Sequence, residues 1–333
     1  MKKFSILLIL FTIFCIAYFT ASNQVAEKSQ PLKAQAESDR KAIKPLNLPA
    51  FEAEMPHTDT LDDYTVEIVE LNHLDLTKRT SLVHQLKSRT LGKDDFQAFY
   101  SFLKTDPLLD GPQLGWHSLK NELLVFLIDD GRYKETTAQV MLDIINNPDR
   151  HPVMREYTLQ YIDDYFERHW LTRKTKEKEV TDLSTIDQEL QDGFMKIMWQ
   201  QLQAGEGPIA GTSLIRLNDL SKNFSVVDQN RLDEETQKML SDYQAPVSSR
   251  MAALSVAADR KLHHLQDYIS EQAFDSQNSI SFRMAAIHAA VQLEPQKEFY
   301  DKLEAEIIND DSSHRVLKRS AQLTLEKFKN TRG

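Results

Sequence analysis

One segment recurs six times along this chain, and it constrains the fold more than any other feature. GPQLGWHSLKNEL begins at Gly111, HPVMREYTLQYI at His151 and GPIAGTSLIRLNDL at Gly207. APVSSRMAALSVA follows from Ala245, NSISFRMAAIHAA from Asn278 and SHRVLKRSAQLTL from Ser313. Proline holds the second place in four of them (Pro112, Pro152, Pro208 and Pro246), and Ser279 and Arg315 stand at the equivalent place in the others. The intervals between these places are 40, 56, 38, 33 and 36 residues. Apart from the 56, they fall in the window of helix-pair repeats. Proline suits the first turn of a helix, where its missing N–H would have no partner and its fixed φ is already helical. Each segment is therefore expected to open the second helix of a pair.

The stretches before these segments also read as helices. Leu232, Thr236, Met239 and Tyr243 fall at helical spacing, as do Leu262, Leu265 and Ile269, and Phe299, Leu303 and Ile307. The second helices carry their own apolar stripes: Val247, Met251, Leu254 and Ala258, then Ile280, Met284, Ile287 and Val291, then Leu317, Ala321, Leu325 and Phe328. Alanines crowd two of them (Ala252, Ala253, Ala257, Ala285, Ala286, Ala289, Ala290), so helices can approach closely on more than one face. The chain has only 9 glycines and 11 prolines, too few turn residues for a β-rich protein of 333 residues. One helix pair cannot cover its own apolar face, but stacked pairs can. The expected fold is all-α, an α-solenoid of about six stacked antiparallel helix pairs over 93–130, 133–170, 182–223, 228–261, 262–293 and 295–330.

From residue 110 to 330 the chain resembles the HEAT and armadillo superfamily of helical repeats. The resemblance rests on an arginine followed by small residues in the second helix: Arg155-Glu156-Tyr157-Thr158, Arg250-Met251-Ala252-Ala253, Arg283-Met284-Ala285-Ala286 and Arg319-Ser320-Ala321-Gln322. It is weak at Thr212 and Trp116, where the arginine is absent. Asp149, Asp242, Asp275 and Asp311 lie just upstream. The resemblance implies Asp–Arg pairs that stitch adjacent repeats together, and it implies a fold without an activity.

The ends and breaks of the repeat region are readable too. Lys2 and Lys3 precede an uncharged apolar run from Ile6 to Ala21, so residues 1–22 read as a signal peptide or N-terminal membrane anchor. Thr20 and Ser22 allow cleavage after Ser22. As a helix, residues 4–21 would span about 27 Å, enough for a retained anchor. Cys15 is the one cysteine, and the bulky Phe14 beside it argues against lipidation, so nothing beyond the leader can form a disulfide. Residues 23–60 read as a disordered linker leading to the helical-repeat domain at 61–333. Thr65 to Leu71 shows strand-like alternation and reads as a short strand or an extended cap. The 56-residue interval marks an insertion, the charged stretch 172–182, expected to project from one edge.

No phosphate-binding loop, dinucleotide fingerprint, nucleophile elbow or His-Glu-x-x-His is present. Gly205-Glu206-Gly207-Pro208 is expected to be a turn between paired helices. Asp163, Asp164, Glu167 and His169 could gather a cation or share a proton, but a solvated helix face explains them as well. Asp259, His263 and Asp267 would share a face only if a helix ran through Lys261, where the repeat register puts a turn. Arg155, Arg250, Arg283 and Arg319 could form a basic ladder, although stacking contacts account better for a recurring position. Lys174, Lys176 and Lys178 are interleaved with Glu177 and Glu179, as in a solvated loop. Trp116, Trp170 and Trp199 are expected in the core. No catalytic, cofactor or metal residue is therefore assigned.

A net charge of −10 disfavours nucleic acid and anionic membrane surfaces. The expected function is an exported, non-catalytic protein-binding scaffold of the cell envelope, periplasmic or extracellular, touching the membrane only through its N-terminus. It would bind another protein or peptide with second-helix residues such as His288 and Gln292. The alternatives are a HEAT-like enzyme or enzyme subunit acting on a small molecule, lyase-like in kind, or a structural subunit of an envelope complex.

Overall fold

A computed structural model describes residues 61–69, 76–105, 114–170, 184–204 and 207–332, all within the unit Lys44–Gly333. The leader, the linker and the 172–182 insertion, with Lys174, Lys176 and Lys178, lie outside the described residues. Among the described residues all regular structure is helical. The helices are α1 (Asp63–Val69), α2 (Leu76–Gln85), α3 (Lys93–Leu103), α4 (Leu114–Asp130), α5 (Lys134–Asn146), α6 (Pro152–Gln160), α7 (Ile162–His169) and α8 (Thr185–Ala204). They continue as α9 (Gly207–Ser221), α10 (Gln229–Ser241), α11 (Val247–Asp259), α12 (Gln266–Phe274), α13 (Ile280–Gln292), α14 (Lys297–Leu303) and α15 (Arg315–Arg332).

The recurrent segments begin helices. Pro152 opens α6, Pro208 is the second residue of α9 and Pro246 immediately precedes α11. Side chains cap three of these starts, with or without a proline beside them. Ser279 Oγ accepts the N–H of Phe282, and the Nδ1 atoms of His151 and His314 accept those of Val153 and Val316. Three of the second helices also stop alike. Gly131, Lys261 and Glu294 follow α4, α11 and α13 with positive φ of 69°, 56° and 59°, the left-handed conformation that ends helices. The turn at Lys261 separates Asp259 from His263 and Asp267, as the register required.

Thr65–Val69 is not a strand or an extended cap but part of α1, and the rest of that segment lies outside the described residues. Thr65 and Ile68, three apart, are its buried residues, whereas Val66 is 47% exposed. A five-residue apolar alternation is compatible with either period, and burial of the three-spaced pair decides it.

Each recurrent helix packs on the one before it: α3 with α4, α5 with α6, α8 with α9, α10 with α11, α12 with α13 and α14 with α15. In addition α4, α6, α9, α11, α13 and α15 each touch the next in that order. Where α9 meets α11 the backbones approach closely. A Cβ on Gly211 would lie 3.1 Å from that of Ala252 and 3.2 Å from Ser249 Cα. Gly211→Val is therefore expected to lower stability by about 1–3 kcal/mol through overpacking, read as a fall in the urea midpoint with unchanged slope.

The longest interval in the repeat is sealed by aromatic side chains. Trp170, fully buried, meets Phe166 edge-on at 4.5 Å and Tyr165 at 5.1 Å, and Phe166 meets Phe224 at 5.3 Å. Edge-to-face contacts of this kind add to the area they bury. Trp116 and Trp199 are buried as well, so all three tryptophans belong to the core.

Candidate functional site

Three of the four recurrent arginines are used in packing, and their partners differ from those the resemblance implied. Arg155 Nε donates to Ile145 O at 3.1 Å and its Nη2 to Gln201 Oε1 at 2.7 Å. Arg250 Nε donates to Leu240 O at 3.3 Å and its Nη2 to Gln272 Oε1 at 3.2 Å. Arg283 Nε donates to Ala273 O at 3.0 Å. Each of these three arginines thus binds a carbonyl ten residues earlier, in the last turn of the preceding helix, and two also clasp a glutamine of a later one, Gln201 of α8 and Gln272 of α12. The last carbonyls of a helix lack internal partners and carry partial negative charge, so a buried guanidinium is well placed there. Asp242 and Asp275 instead accept the N–H groups of Gln244 and Gln277 in their own loops. Arg319 is exposed, and Asp311 faces Lys318 at 3.9 Å. In α4, where the arginine is missing, buried Lys120 reaches Leu103 O and Thr105 O at the end of α3.

The other clusters singled out in the sequence are dispersed. Asp163 pairs with Arg216 at 2.6 Å, Glu167 accepts from Asn223 Nδ2 at 2.8 Å and His169 Nε2 lies 3.1 Å from Ile128 O. Asp259 is held by Lys222 at 2.5 Å and by Asn218 at 2.7 Å. Burial pushes the Asp259 carboxyl up, but these two partners outweigh it and hold the carboxyl below its ordinary range. Among the described residues no three His, Cys, Asp or Glu side chains could hold a metal ion. Nor is any helix long and apolar enough to cross a membrane. His288 and Gln292 lie at the surface of α13, and local desolvation and Lys327 lower the pKa of His288.

A different place combines exposure with unusual electrostatics: the surface shared by α4, α6, α7 and α9. Glu156 follows the clasp arginine, where Met251 and Met284 stand in the runs after Arg250 and Arg283. Its Oε1 meets only neutral partners, Thr212 Oγ1 at 3.3 Å and Gln160 Nε2 at 3.5 Å. Burial raises its pKa, which those contacts only partly offset. Tyr157 beside it is shifted up by burial and by the Glu156 charge, and Tyr161 by burial and by Glu122, Asp164 and Tyr157. Asp164 is raised by desolvation and by neighbouring Asp163. Arg216 bridges Asp163 and Asp219, and Arg168 pairs with Asp129, so neither is bonded to Glu156.

The helix bends where these residues gather. Thr158 Oγ1 donates back to Met154 O at 2.8 Å, a contact that bends helices. Tyr161 separates α6 from α7, with its N–H directed to Thr158 O at 3.3 Å. What results, among the described residues, is a helical structure bearing a half-buried patch of carboxylates and tyrosines. No protein-family model, curated protein or solved structure matches the chain.

Proposed function

We propose that the helices stack as an α-solenoid of six HEAT-like pairs and that the protein is an exported, non-catalytic scaffold binding another protein in the cell envelope. The reading is carried by the unbroken row α4, α6, α9, α11, α13 and α15, each helix touching the next. Such a row offers one continuous surface, and solenoids bind their partners on surfaces of that kind. Arg155, Arg250 and Arg283 are turned inward to packing, and Ser118, Ser255 and His288 are exposed on the same row. An apolar leader of this kind supports export of the surface from the cytoplasm, whether it is cleaved or retained through residues 4–21. The negative charge of the chain suits a protein partner better than nucleic acid or anionic lipid.

The test is in-cell photo-crosslinking of the full-length protein, with the reactive residue at Ser118, Ser255 or His288, or at Gln237 or Glu298 on preceding helices. Discrete adducts from the first three positions and none from the other two are expected in the envelope fraction. Equal adducts from both sets would favour a structural subunit held by its edges. No adducts from any position, beside a control complex that crosslinks, would remove the scaffold reading and favour a small-molecule enzyme.

A further inference from the structure

The surface formed by α4, α6, α7 and α9 has a charge pattern that specifies what can cover it. Glu122, Glu156 and Asp164 contribute carboxylates to it, and Asp163 and Asp219 add two more that Arg216 already neutralises. Arg168 is drawn off to Asp129 at 2.5 Å, and exposed His84 stands 3.9 Å from Glu122. Glu156 is left half-buried against a hydroxyl and an amide, with no cation among the described residues to compensate it. Burying a carboxylate without a counter-charge is unfavourable. Folding alone gains nothing from this charge: the raised pKa means that the protonated group is the one the fold prefers.

We propose that this surface seats a basic segment of the protein partner, with a lysine or arginine side chain pairing with Glu156 and lying along Tyr157 and Tyr161. The inference deepens the scaffold reading and rests on it. An arriving ammonium or guanidinium supplies the missing counter-charge, and a tyrosine ring accepts both its aliphatic stem and its charge. A divalent cation fits poorly, because the carboxylates do not converge as a ligand set. A phosphate or an anionic lipid would meet like charge. Glu156 and its tyrosines therefore take the place of an interface hot spot, an aromatic anchor beside a desolvated charge.

The experiment titrates full-length protein into a fluorescein-labelled twelve-residue peptide alternating Lys and Arg with Ser and Gly. A control peptide carries acetyl-lysine and citrulline at the same places. Wild-type, Glu156→Gln, Tyr161→Leu and Glu326→Gln proteins are compared at low and moderate salt. Wild type is expected to bind the cationic peptide and not the neutral one. Glu156→Gln should weaken binding at least tenfold, Tyr161→Leu severalfold, and Glu326→Gln, far along α15, not at all. Binding should strengthen as pH rises through the raised pKa of Glu156, because pairing favours the ionised form. Glu156→Gln should keep or raise the melting temperature, so lost binding cannot be read as lost folding. Equal binding by wild type and Glu156→Gln, or equal binding of both peptides, overturns the inference. So does failure to bind either peptide. If crosslinks from Ser118 and Ser255 still form, the scaffold reading stands while this one falls; if they too are absent, both fall.

Discussion

Asp187→Ala is expected to cost about 2–3 kcal/mol of stability, the range for leaving a buried donor without its acceptor and losing hydrogen bonds to a charged group. Ser184 Oγ accepts the Asp187 N–H and donates to its Oδ2 at 2.9 Å, which fixes the start of α8. Across the interval left by residues 171–183, Asp187 also receives Trp170 Nε1 at 2.8 Å and Lys134 Nζ at 3.0 Å. One carboxylate thereby ties α5, the end of α7 and α8 together. Its loss would leave a buried indole N–H without its acceptor and Lys134 with only the longer contact to Glu135 at 3.7 Å. Burial pushes the Asp187 carboxyl up, but the Trp170, Lys134 and Ser184 hydrogen bonds outweigh it and hold the pKa below the ordinary value. The sign follows from linkage. A depressed folded pKa gives stability that is complete above the unfolded value and is lost as pH falls through the folded one. The gap between wild type and Asp187→Ala should therefore be full at neutral pH and shrink in acid. Urea unfolding of both proteins across that range measures it, and a gap independent of pH would show that the charge is irrelevant. Asp187→Asn, which keeps an acceptor for Trp170, should fall between the two.

Arg155→Met is expected to cost about 3 kcal/mol, because a buried carbonyl and a buried amide lose a charged donor together. Arg155 is 2% exposed, and Ile145 O and Gln201 lie in the helices on either side of it. Arg283→Met removes a contact to one carbonyl from a more exposed side chain and should cost about 1 kcal/mol. Pairing Arg155→Met with Gln201→Leu should recover part of the loss, since the amide is then no longer stranded. Equal costs at Arg155 and Arg283 would mean that the glutamine contributes nothing to the clasp.

The sequence made helix starts visible where proline stands at a first turn, which has a local physical cause, as Pro152 shows; the caps from Ser279 and His314 emerge only in the structure. It was silent on what Arg155, Arg250 and Arg283 touch, because a backbone carbonyl leaves no trace in residue identity. The upstream aspartates were a misleading substitute: Asp242 and Asp275 are committed to their own turns. Lys120 does comparable work from another register, so no arginine pattern could reveal it. Ser184-Thr185-Ile186-Asp187 was a readable signal, a hydroxyl followed three places on by a carboxylate at a helix start. The candidate surface was half legible. Glu156 and Tyr157 break the small-residue rule that Met251-Ala252 and Met284-Ala285 follow, which marks this unit as different. That Glu156 would face only Thr212 and Gln160 depends on the bend at Tyr161 and on the approach of α9, neither of which is local.

The acceptor in each arginine clasp is main chain, and this bears on how such a protein can change over time. No substitution in α5, α10 or α12 can delete the carbonyl of Ile145, Leu240 or Ala273 while the helix persists. Mutations there are filtered for helicity and burial alone, and only the arginine and, in two units, the glutamine are constrained as individuals. Stacking of this kind can outlive nearly all recognisable similarity among the helices that it joins. A chain built this way drifts out of reach of pattern comparison long before its architecture is at risk.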